Sequence, residues 1–363
     1  MIKKKILIAT GGTGGHIFPA YSLVNILKKD YEITLSSDRR GLNYLKNNDN
    51  LKIIKIPSSP LIKKNIYKFF LSALTIIYSV IKSIFILILI RPKIIFGMGG
   101  YSSFPICVAA SILRIKFIIY ENNMIIGKAN KYLLPFAQKI FVSYKDLEGI
   151  SKKYNKKIVE IGNLIREEIL NINNFIDTKE NLNDISILVL GGSQAAKIFA
   201  EELPQIFKRL KNFAIPIKIY QQCQINQNAQ LSLLYKEANI DHEIFNFTNN
   251  INKYYSKANL VITRSGASVL GELINVKIPF ISIPLPSSAD NHQFKNAEFY
   301  QKKCVGYLLE EKNIKNELYD LIRSFYQDKS RLKNILSKQR QYSDKDVFKN
   351  LKNQLEKILN EKN

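Results

Sequence analysis

A glycine-rich stretch near the N-terminus contains the first residues whose types and spacing suit chemistry, GGTGGH at residues 11–16. It follows an apolar run at residues 6–9 and precedes a helix-like segment at residues 21–28. A strand, a glycine turn and a helix start in this order predict an anion site, because glycines let backbone N–H groups approach a ligand closely and the helix end adds positive potential. Histidine titrates close to neutral pH, so His16 is a candidate general base.

Two common uses of such a loop are excluded by its neighbours. A dinucleotide-binding fingerprint needs a third glycine where Ile17 stands, and a Walker A loop needs Gly-Lys-Ser/Thr at residues 15–17. Asp38 occupies about the position of a ribose-binding acid, but the fingerprint that would support that role is missing. The loop alone therefore predicts an anion site without naming its ligand.

Six further motifs of glycine or polar residues follow apolar runs. They are GMGG at 97–100, ENN at 121–123, GNLIR at 162–166, GGSQ at 191–194, RSGAS at 264–268 and DNHQ at 290–293. The apolar runs are typical of buried strands, and the carboxyl end of a parallel strand is the usual place for a site in an open α/β sheet. The motifs therefore predict loops that serve ligand sites.

The pattern of the first half starts again in the second half. A polar, Asn-rich stretch at residues 171–184 is typical of a long loop beside a domain boundary. The apolar run at 187–190 then leads into Gly-Gly-Ser and a helix-like segment, as at the N-terminus. This repetition predicts an α/β protein of two similar, doubly wound domains that face one another across a cleft.

Composition bounds the class of protein. The chain has 363 residues, 46% of them hydrophobic and 23% charged, which excludes a disordered chain and favours two domains. The cysteines Cys107, Cys223 and Cys304 form no CxxC pair, so neither a disulfide framework nor a zinc site is expected and a reducing compartment fits. The net charge of +24 predicts an anionic partner such as nucleic acid, acidic lipid or a phosphorylated substrate, although a Lys-rich codon usage would also produce it.

Residues 69–90 form an almost entirely apolar stretch that is long enough to cross a bilayer. Its polar residues, together with Lys68 just before it, fall on one narrow stripe of a helix. The stripe consists of Lys68, Ser72, Thr75, Ser79, Lys82 and Ser83. A single span would place the glycine loops at 11–15 and 97–100 on opposite sides of a membrane, which disfavours a span if both serve one site.

We therefore expect a mostly buried helix whose remaining apolar surface rests on an anionic membrane; a wholly buried core helix stays open as the alternative. The cations expected to meet the headgroups are Lys63, Lys64, Lys68, Lys82, Arg91 and Lys93.

The motifs, taken in order, resemble those of the lipid II-forming N-acetylglucosaminyltransferases of bacterial peptidoglycan synthesis. The matching segments are GGTGGHIFPA, GMGGY, ENN, GNLIR, GGSQ, RSGAS with a later GE, and DNHQ with a later NA, over about residues 6–300. The resemblance implies the GT-B architecture, with an acceptor and membrane-facing domain at 1–164 plus a C-terminal helix at 343–363, and a UDP-sugar donor domain at 165–342. It also implies an inverting transferase that needs no metal or cofactor and works peripherally on the cytoplasmic face of the inner membrane.

The resemblance also implies a set of substrate contacts. UDP-N-acetylglucosamine would be the donor and lipid I the acceptor, with no nucleic-acid partner. His16 would lie beside the reacting centre. The remaining residues that it implies are Thr13, Gly14, Gly15, Asn123, Arg166, Ser193, Thr248, Ile251, Ala267, Ser268, Val269, Leu270, Gly271, Glu272 and Gln293, with Gly99, Gly100, Tyr101, Glu121 and His292 as weaker candidates.

Particular roles follow from the same resemblance. Arg166 and Ser193 would contact the donor, and the backbone at residues 248–251 would contact the uracil edge. Residues 267–272 would hold the diphosphate and the ribose, with Glu272 on the ribose hydroxyls. Gln293, with His292, would bind the sugar hydroxyls.

The chain departs from the family pattern at three places. Asn122 stands where the family usually has glutamine, Ala195 where it has glycine, and SSFP at residues 102–105 where it has a glycine-rich stretch. Two alternatives stay open: another UDP-sugar enzyme of this architecture, such as a diacylglycerol glycosyltransferase or an epimerase, or a basic protein that binds membranes or nucleic acid.

Overall fold

The chain divides into two compact units. The computed structural model describes residues 3–45, 51–60, 66–170, 184–192, 196–248 and 250–361. Unit 1 comprises Met1–Arg166 and Asp344–Asn363, and unit 2 comprises Glu167–Ser343. The expected loop at 171–184 lies outside the described residues, apart from Asp184.

Unit 1 is a parallel sheet with helices on its faces. Its described strands are β1 Lys5–Ala9, β2 Glu32–Ser37, β3 Lys52–Lys55, β4 Ile94–Gly97, β5 Phe117–Glu121, β6 Lys139–Val142 and β7 Ile158–Glu160. They lie in the order β3-β2-β1-β4-β5-β6-β7, and every neighbouring pair is parallel. The described helices before the crossing to unit 2 are α1 Gly14–Leu27, α2 Arg39–Leu42, α3 Ile66–Ile90, α4 Gly100–Ile112 and α5 Lys128–Leu133.

The strand order of unit 1 reverses direction between β1 and β4. Chain progression runs outward from β1 to β3 on one side and from β4 to β7 on the other. The carboxyl ends of the two central strands lie at this switch point, which is where open α/β sheets bind ligands. The two glycine loops of unit 1 follow these two strands.

Unit 2 repeats the plan. Its described strands are β8 Ile185–Leu190, β9 Ile217–Gln222, β10 Asp241–Phe245, β11 Leu260–Thr263, β12 Phe280–Ser282 and β13 Tyr307–Leu308, in the parallel order β10-β9-β8-β11-β12-β13. Its described helices are α6 Glu167–Leu170, α7 Lys197–Asn212, α8 Asn228–Glu237, α9 Asn252–Tyr255, α10 Ala267–Asn275, α11 His292–Lys302, α12 Ile314–Gln327 and α13 Ser330–Gln339. The switch point here lies between β8 and β11.

The chain returns to unit 1 for its last helix, α14 Val347–Asn360. The backbone N–H and the side-chain amide of Asn163 donate to the two carboxylate oxygens of Asp344, each at 2.9 Å. Gly162 has φ +101°, and a side chain there would collide with the Asp344 carboxylate. The segment that leaves unit 1 is therefore fastened to the segment that returns to it.

Lysines that precede strands of unit 1 bind carbonyl groups at helix ends. Lys3 donates to the carbonyls of Lys28 and Lys29 after α1, and Lys116 donates to that of Glu361 after α14. Helix C-termini leave carbonyls without helical partners and carry negative partial charge, so ammonium groups stabilise them. Part of the positive surplus thus has a structural use.

Candidate active site

The glycine loop after β1 leads directly into α1. This helix begins at Gly14, so Gly14, Gly15 and His16 form its first turn, and the expected start near residue 21 is wrong. The hydroxyl of Thr10 donates to the carbonyl of His16 at 2.9 Å. Thr13 is the N-cap residue, and among the described residues it makes no side-chain cap and no acidic residue stands in the first turn. Such a helix end suits an anionic ligand.

Pro19 explains why sequence patterns miss the first turn of α1. Proline has no N–H, so the carbonyl of Gly15, four residues earlier, lacks its helical donor. The side-chain amide of Asn122, at the end of β5, donates to this carbonyl at 3.2 Å. The amide that replaces the family glutamine thus ties the β5 end to the His16 turn.

The glycines after β4 lie against the imidazole of His16. Gly99 has φ +86° and Gly100 has φ +71°. A Cβ atom on Gly99 would lie 3.1 Å from Cε1 of His16, and one on Gly100 would lie 3.2 Å from Cδ2. The structure therefore brings His16, Gly99 and Gly100 together, and Tyr101 lies partly exposed in the first turn of α4.

Glu121 organises the turn after β5. Its carboxylate is only 3% exposed and accepts hydrogen bonds from the Asn123 side chain at 2.8 Å, the Gly127 N–H at 2.9 Å and the Asn130 side chain at 3.0 Å. These contacts give Glu121 a shaping role in the loop. The substrate contact expected of Asn123 stays a prediction.

Asp38 is a residue whose importance sequence reasoning missed. The residue is 4% exposed, and Oδ1 accepts the N–H groups of Gly12 and Gly41, each at 2.9 Å. Oδ2 accepts the Ser58 hydroxyl at 2.9 Å and the Arg40 guanidinium at 3.2 Å. Burial alone would raise the pKa of Asp38, but these donors outweigh it and hold the pKa below its ordinary value. The carboxylate thus fixes the glycine loop to the end of β2.

The serines at residues 102–103 join the second glycine loop to this network. The Ser102 hydroxyl lies 3.3 Å from that of Ser58, and the Ser103 hydroxyl donates to the carbonyl of Gly99 at 3.0 Å. Ser102 fills the space beside Gly11, where an added Cβ would lie 2.6 Å from Cβ of Ser102. Ser102 and Ser103, which stand where the family has a glycine-rich stretch, therefore connect the second glycine loop to Ser58 and to the space beside Gly11.

Arg166 is the last residue of the first segment of unit 1, whereas the resemblance implies a donor domain that begins at residue 165. Its guanidinium carbon lies 5.5 Å from the centre of the Phe18 ring on α1. Phe18 stands two residues after His16 on α1, so this cation–π contact holds the guanidinium beside the start of that helix. Its expected contact with the donor stays a prediction.

In unit 2, Arg264 joins the ends of two neighbouring strands. The side chain is buried after β11 and donates to the carbonyls of Ile283 and Pro284 after β12, each at 3.3 Å. It also forms an ion pair with Glu311 and lies 4.8 Å from the Phe199 ring centre. Arg264 therefore supports the loops at the switch point. Ser193, on the loop after β8, lies outside the described residues.

The helix after β11 carries the residues expected to hold diphosphate and ribose. Gly266 is the N-cap of α10, and residues 267–269 form its first turn. Glu272 is buried, and its Oε2 accepts a hydrogen bond from the Tyr255 hydroxyl at 2.8 Å. The side chain of Leu270 is fully buried in the core and Gly271 has none, so only their backbone groups are candidates for ligand contact.

The segment before α9 leads to the same carboxylate. The N–H of Asn250 donates to the Thr248 hydroxyl at 3.1 Å, and the N–H of Tyr255 donates to the carbonyl of Ile251 at 3.0 Å. Because Tyr255 also holds Glu272, this segment is connected to α10 through one tyrosine. The predicted uracil contacts at residues 248–251 stay predictions, and Asn249 lies outside the described residues.

The loop after β12 supplies the residues expected at the sugar. Gln293 accepts the Leu285 N–H at 2.9 Å, and Nδ1 of His292 lies 2.7 Å from the Ala289 carbonyl. The Asn296 side chain donates to the carbonyl of Ser265 at 3.0 Å, so α11 is joined to the β11 loop. Within the described ranges, no group of three or more His, Cys, Asp or Glu could hold a metal ion.

A long helix of unit 1 has the reverse of its expected orientation. The serines of its polar stripe, Ser72, Ser79 and Ser83, are buried, so the expectation of a mostly buried apolar helix is wrong. Small serines let α3 approach the chain after β3, where Ser79 donates to the Pro57 carbonyl at 2.8 Å. The outward side chains that are at least half exposed are Ile66, Tyr67, Phe70, Leu74, Ile77, Tyr78, Ile81, Phe85, Ile88 and Leu89.

Of the described helices, α3 is the one that is long and apolar enough to cross a membrane. Its inner side is nevertheless bound to unit 1, through Ser72, Ser79 and Lys82 and through the buried Leu87 and Ile90. Lys63 and Lys64 lie outside the described residues, whereas Lys68, Arg91 and Lys93 are exposed near the two ends of the helix.

These observations first define a class of protein. Each unit is Rossmann-like and carries glycine loops and a helix start at its switch point. Two such units in one chain make up the fold of enzymes that contain two domains of the nucleotide-binding type. Family models sharpen this class. The model of the glycosyltransferase family 28 N-terminal domain matches residues 6–142, and that of the C-terminal domain matches residues 186–359. The chain belongs to glycosyltransferase family 28 and is a hexosyltransferase.

Similar proteins agree with this membership. The chain is 34% identical to the UDP-N-acetylglucosamine--N-acetylmuramyl-(pentapeptide) pyrophosphoryl-undecaprenol N-acetylglucosamine transferase of Pelagibacter ubique, over 99% of this chain and 100% of the relative. It is 38% identical to the enzyme of the same name from Rickettsia felis, over 86% and 88%. The crystal structure of MurG from Acinetobacter baumannii matches with a TM-score of 0.80 at 24% identity, over 98% and 99%, which shows the shared fold.

Proposed function

We propose that the chain transfers N-acetylglucosamine from UDP-N-acetylglucosamine to lipid I, the undecaprenyl-diphosphate-linked N-acetylmuramoyl-pentapeptide. The products are lipid II and UDP. The observation that carries this proposal is the full-length match to relatives that are named for this reaction. The match includes both units, each of which has its own loops at a switch point.

Unit 1 is assigned to the acceptor and unit 2 to the donor. A muramyl hydroxyl attacks the anomeric carbon of the donor, the bond from that carbon to UDP breaks, and the hydroxyl proton passes to a base. One displacement inverts the anomeric centre. Such a reaction depends on the positioning of two substrates and on stabilisation of the charge that leaves with UDP.

His16 is the proposed base. The backbone of Gly99 and Gly100 lies against the edges of its ring, and its backbone carbonyl accepts the Thr10 hydroxyl. The Asn122 amide holds the preceding carbonyl, that of Gly15. A base that is held by several elements needs little reorganisation when the acceptor arrives, which favours proton transfer.

The donor is proposed to bind at the start of α10. Backbone N–H groups of its first turn, at residues 267–269, would meet the diphosphate, and the helix dipole favours this charge. Glu272 would accept hydrogen bonds from the ribose hydroxyls, with the Tyr255 hydroxyl holding one of its oxygens in place. Gln293 would contact the sugar, and no metal is needed.

Docking on an anionic membrane surface is proposed for unit 1. The exposed apolar face of α3 would be buried in the membrane interface on docking. The contacts of its inner side with unit 1 favour a helix that lies on the bilayer over one that crosses it. Unit 1 holds 32 Lys and Arg against 12 Asp and Glu, whereas unit 2 holds 22 against 18. The surplus lies in the unit with the apolar face, which suits peripheral attachment on the cytoplasmic side, where UDP-sugar is available.

The direct test is turnover of lipid I with labelled UDP-N-acetylglucosamine. The wild-type chain should form labelled lipid II, and absence of that product would refute the proposed function. His16→Ala should lower kcat by roughly 10²- to 10⁴-fold, the usual contribution of a general base. The control is His242→Ala, which alters a histidine bound to Ser232 and to the Ile240 carbonyl in unit 2. Near-wild-type turnover of His16→Ala would remove His16 from catalysis.

A further inference from the structure

We infer that Arg40 binds the diphosphate of the acceptor. This inference rests on the proposed function, because lipid I carries a diphosphate between its sugar and its lipid. It adds a residue that lies outside every motif the sequence singles out. It concerns recognition of the acceptor and assigns Arg40 no part in bond making.

The guanidinium of Arg40 is held in one orientation beside the first glycine loop. Its Nε and Nη2 atoms each lie 3.2 Å from Oδ2 of Asp38. The same carboxylate accepts the N–H of Gly12 through Oδ1. One buried group therefore sets both the position of the loop and the direction of the cation.

The space over Gly12 is open on the side of this cation. A Cβ atom built on Gly12 would lie 3.7 Å from Nη2 of Arg40, and apart from the adjoining residues of the chain no second described atom lies within 4 Å of it. Gly15, three positions further on, is also uncrowded, since a Cβ there would have only the Thr13 hydroxyl oxygen near, at 3.7 Å; at Gly14, by contrast, a Cβ would lie 2.9 Å from Cε2 of Phe18. An anion placed over Gly12 would thus lie beside the guanidinium, with no other described side chain near that position.

The chemistry of the pair leaves Arg40 able to serve a ligand. A guanidinium has five N–H donors, and two of its nitrogens face Asp38. The side chain is 59% exposed, so its remaining donors reach solvent. Asp38 has four partners and its pKa stays low, so it keeps the charge that orients the arginine. Planar donors of this kind match phosphate oxygens.

The test compares Arg40→Gln with Arg39→Gln, because Arg39 is an adjacent exposed arginine and its loss changes the net charge equally. With lipid I, Arg40→Gln should raise the KM for the acceptor roughly 10- to 100-fold, as expected for charge-assisted hydrogen bonds, and leave the donor KM and kcat close to wild type. Arg39→Gln should stay within about threefold, and Arg40→Lys should recover part of the loss because charge remains.

A second acceptor separates recognition from support of the loop. With an analogue of lipid I in which an uncharged linker replaces the diphosphate, Arg40→Gln and wild type should differ by only about threefold, because the partner of Arg40 is gone. An equal loss on both acceptors would assign Arg40 to support of Asp38 and overturn the inference. An unchanged acceptor KM in Arg40→Gln would overturn it as well.

Failure of the proposed function would be seen separately, as absence of product with the wild-type chain. In that case calorimetry with a soluble short-chain prenyl diphosphate decides the inference. Binding that is at least about tenfold weaker in Arg40→Gln than in Arg39→Gln supports it. Equal affinity, or no binding by the wild-type chain, refutes it.

Discussion

The imidazole of His16 lies so close to the backbone of Gly99 that a single added methyl group would come within 3.1 Å of its Cε1 atom. His16 lies in the first turn of the helix after β1 and Gly99 in the loop after β4, and β1 and β4 are the two central strands of unit 1. The contact therefore joins the two sides of the switch point through the proposed base. A glycine is required there twice over, by the space and by the φ of +86°.

Gly99→Ala should consequently damage activity more than stability. The left-handed backbone should cost about 1–2 kcal/mol of unfolding free energy, and displacement of the His16 ring should lower kcat at least about tenfold. Gly149 is a matched control, because its φ is +84° and an added Cβ would lie 3.1 Å from Cγ2 of Ile126. Gly149→Ala should lose similar stability and keep its kcat. Equal effects of both substitutions on kcat would contradict the role given to the contact.

Asp38 should make the stability of unit 1 depend on acidic pH. Its folded pKa lies below the ordinary value of 3.8, so the carboxylate stabilises the folded unit at higher pH and this contribution is lost as the pH falls through the folded pKa. Asp38→Asn should therefore be less stable than wild type near about pH 6, and the difference should shrink below about pH 4.

Chemical denaturation of both proteins over this range measures the effect. Glu32→Gln, at an exposed position of β2, controls for the removal of one carboxylate from the same unit. A difference between Asp38→Asn and wild type that stays constant down to about pH 2.5 would contradict the assignment of the pKa.

Attachment to vesicles should depend on the outer face of α3. Leu89 is 80% exposed and Phe85 is 64% exposed, so their replacement by glutamate should scarcely affect folding. The double variant should lose most of its sedimentation with anionic vesicles, because two charges would enter the apolar layer.

Phe213→Glu is the matched control for this experiment. Phe213 is 59% exposed, but it lies in unit 2, which has little net charge. It should sediment as the wild type does. If the α3 variant also sediments normally, docking through this face is wrong.

Glu272 and Tyr255 should affect the donor alone. Glu272→Gln should raise the KM for UDP-N-acetylglucosamine by roughly tenfold through weaker ribose contacts, and Tyr255→Phe by less, because it removes only the partner that holds Oε2 at 2.8 Å. Steady-state kinetics with each substrate varied in turn distinguishes the effects. A change confined to the lipid I KM would refute the assignment of unit 2 to the donor.

Local sequence patterns predicted the fold well because the strands are short apolar runs bounded by glycine or polar residues. The doubly wound class is confirmed, whereas two weak strands, β3 and β13, were not expected. β3 reads KIIK and β13 has only two residues, so neither gives a clear apolar run. Their places are fixed by pairing with β2 and β12, which only the tertiary structure provides.

The orientation of α3 shows a second limit. Periodicity located the serine stripe, but it does not say which side of a helix faces the protein. Ser79 faces the protein because its hydroxyl donates a hydrogen bond to the Pro57 carbonyl, and that partner lies 22 positions away in the sequence. The role of Asp38 in holding the glycine loop was not predicted for the same reason, since its donors Gly12 and Ser58 are 26 and 20 positions away.

The uneven charge of the two units has a kinetic consequence. A net charge of +20 on unit 1 and +4 on unit 2 gives the molecule an electrical asymmetry. The field of an anionic surface, the proposed partner, would exert a torque on this uneven charge, so the basic unit would turn toward the surface before contact. The turning force reaches about one Debye length, roughly 8 Å at physiological salt. The rate of association with the surface in the correct orientation should therefore fall steeply as salt is added, even if the final apolar contact is unchanged.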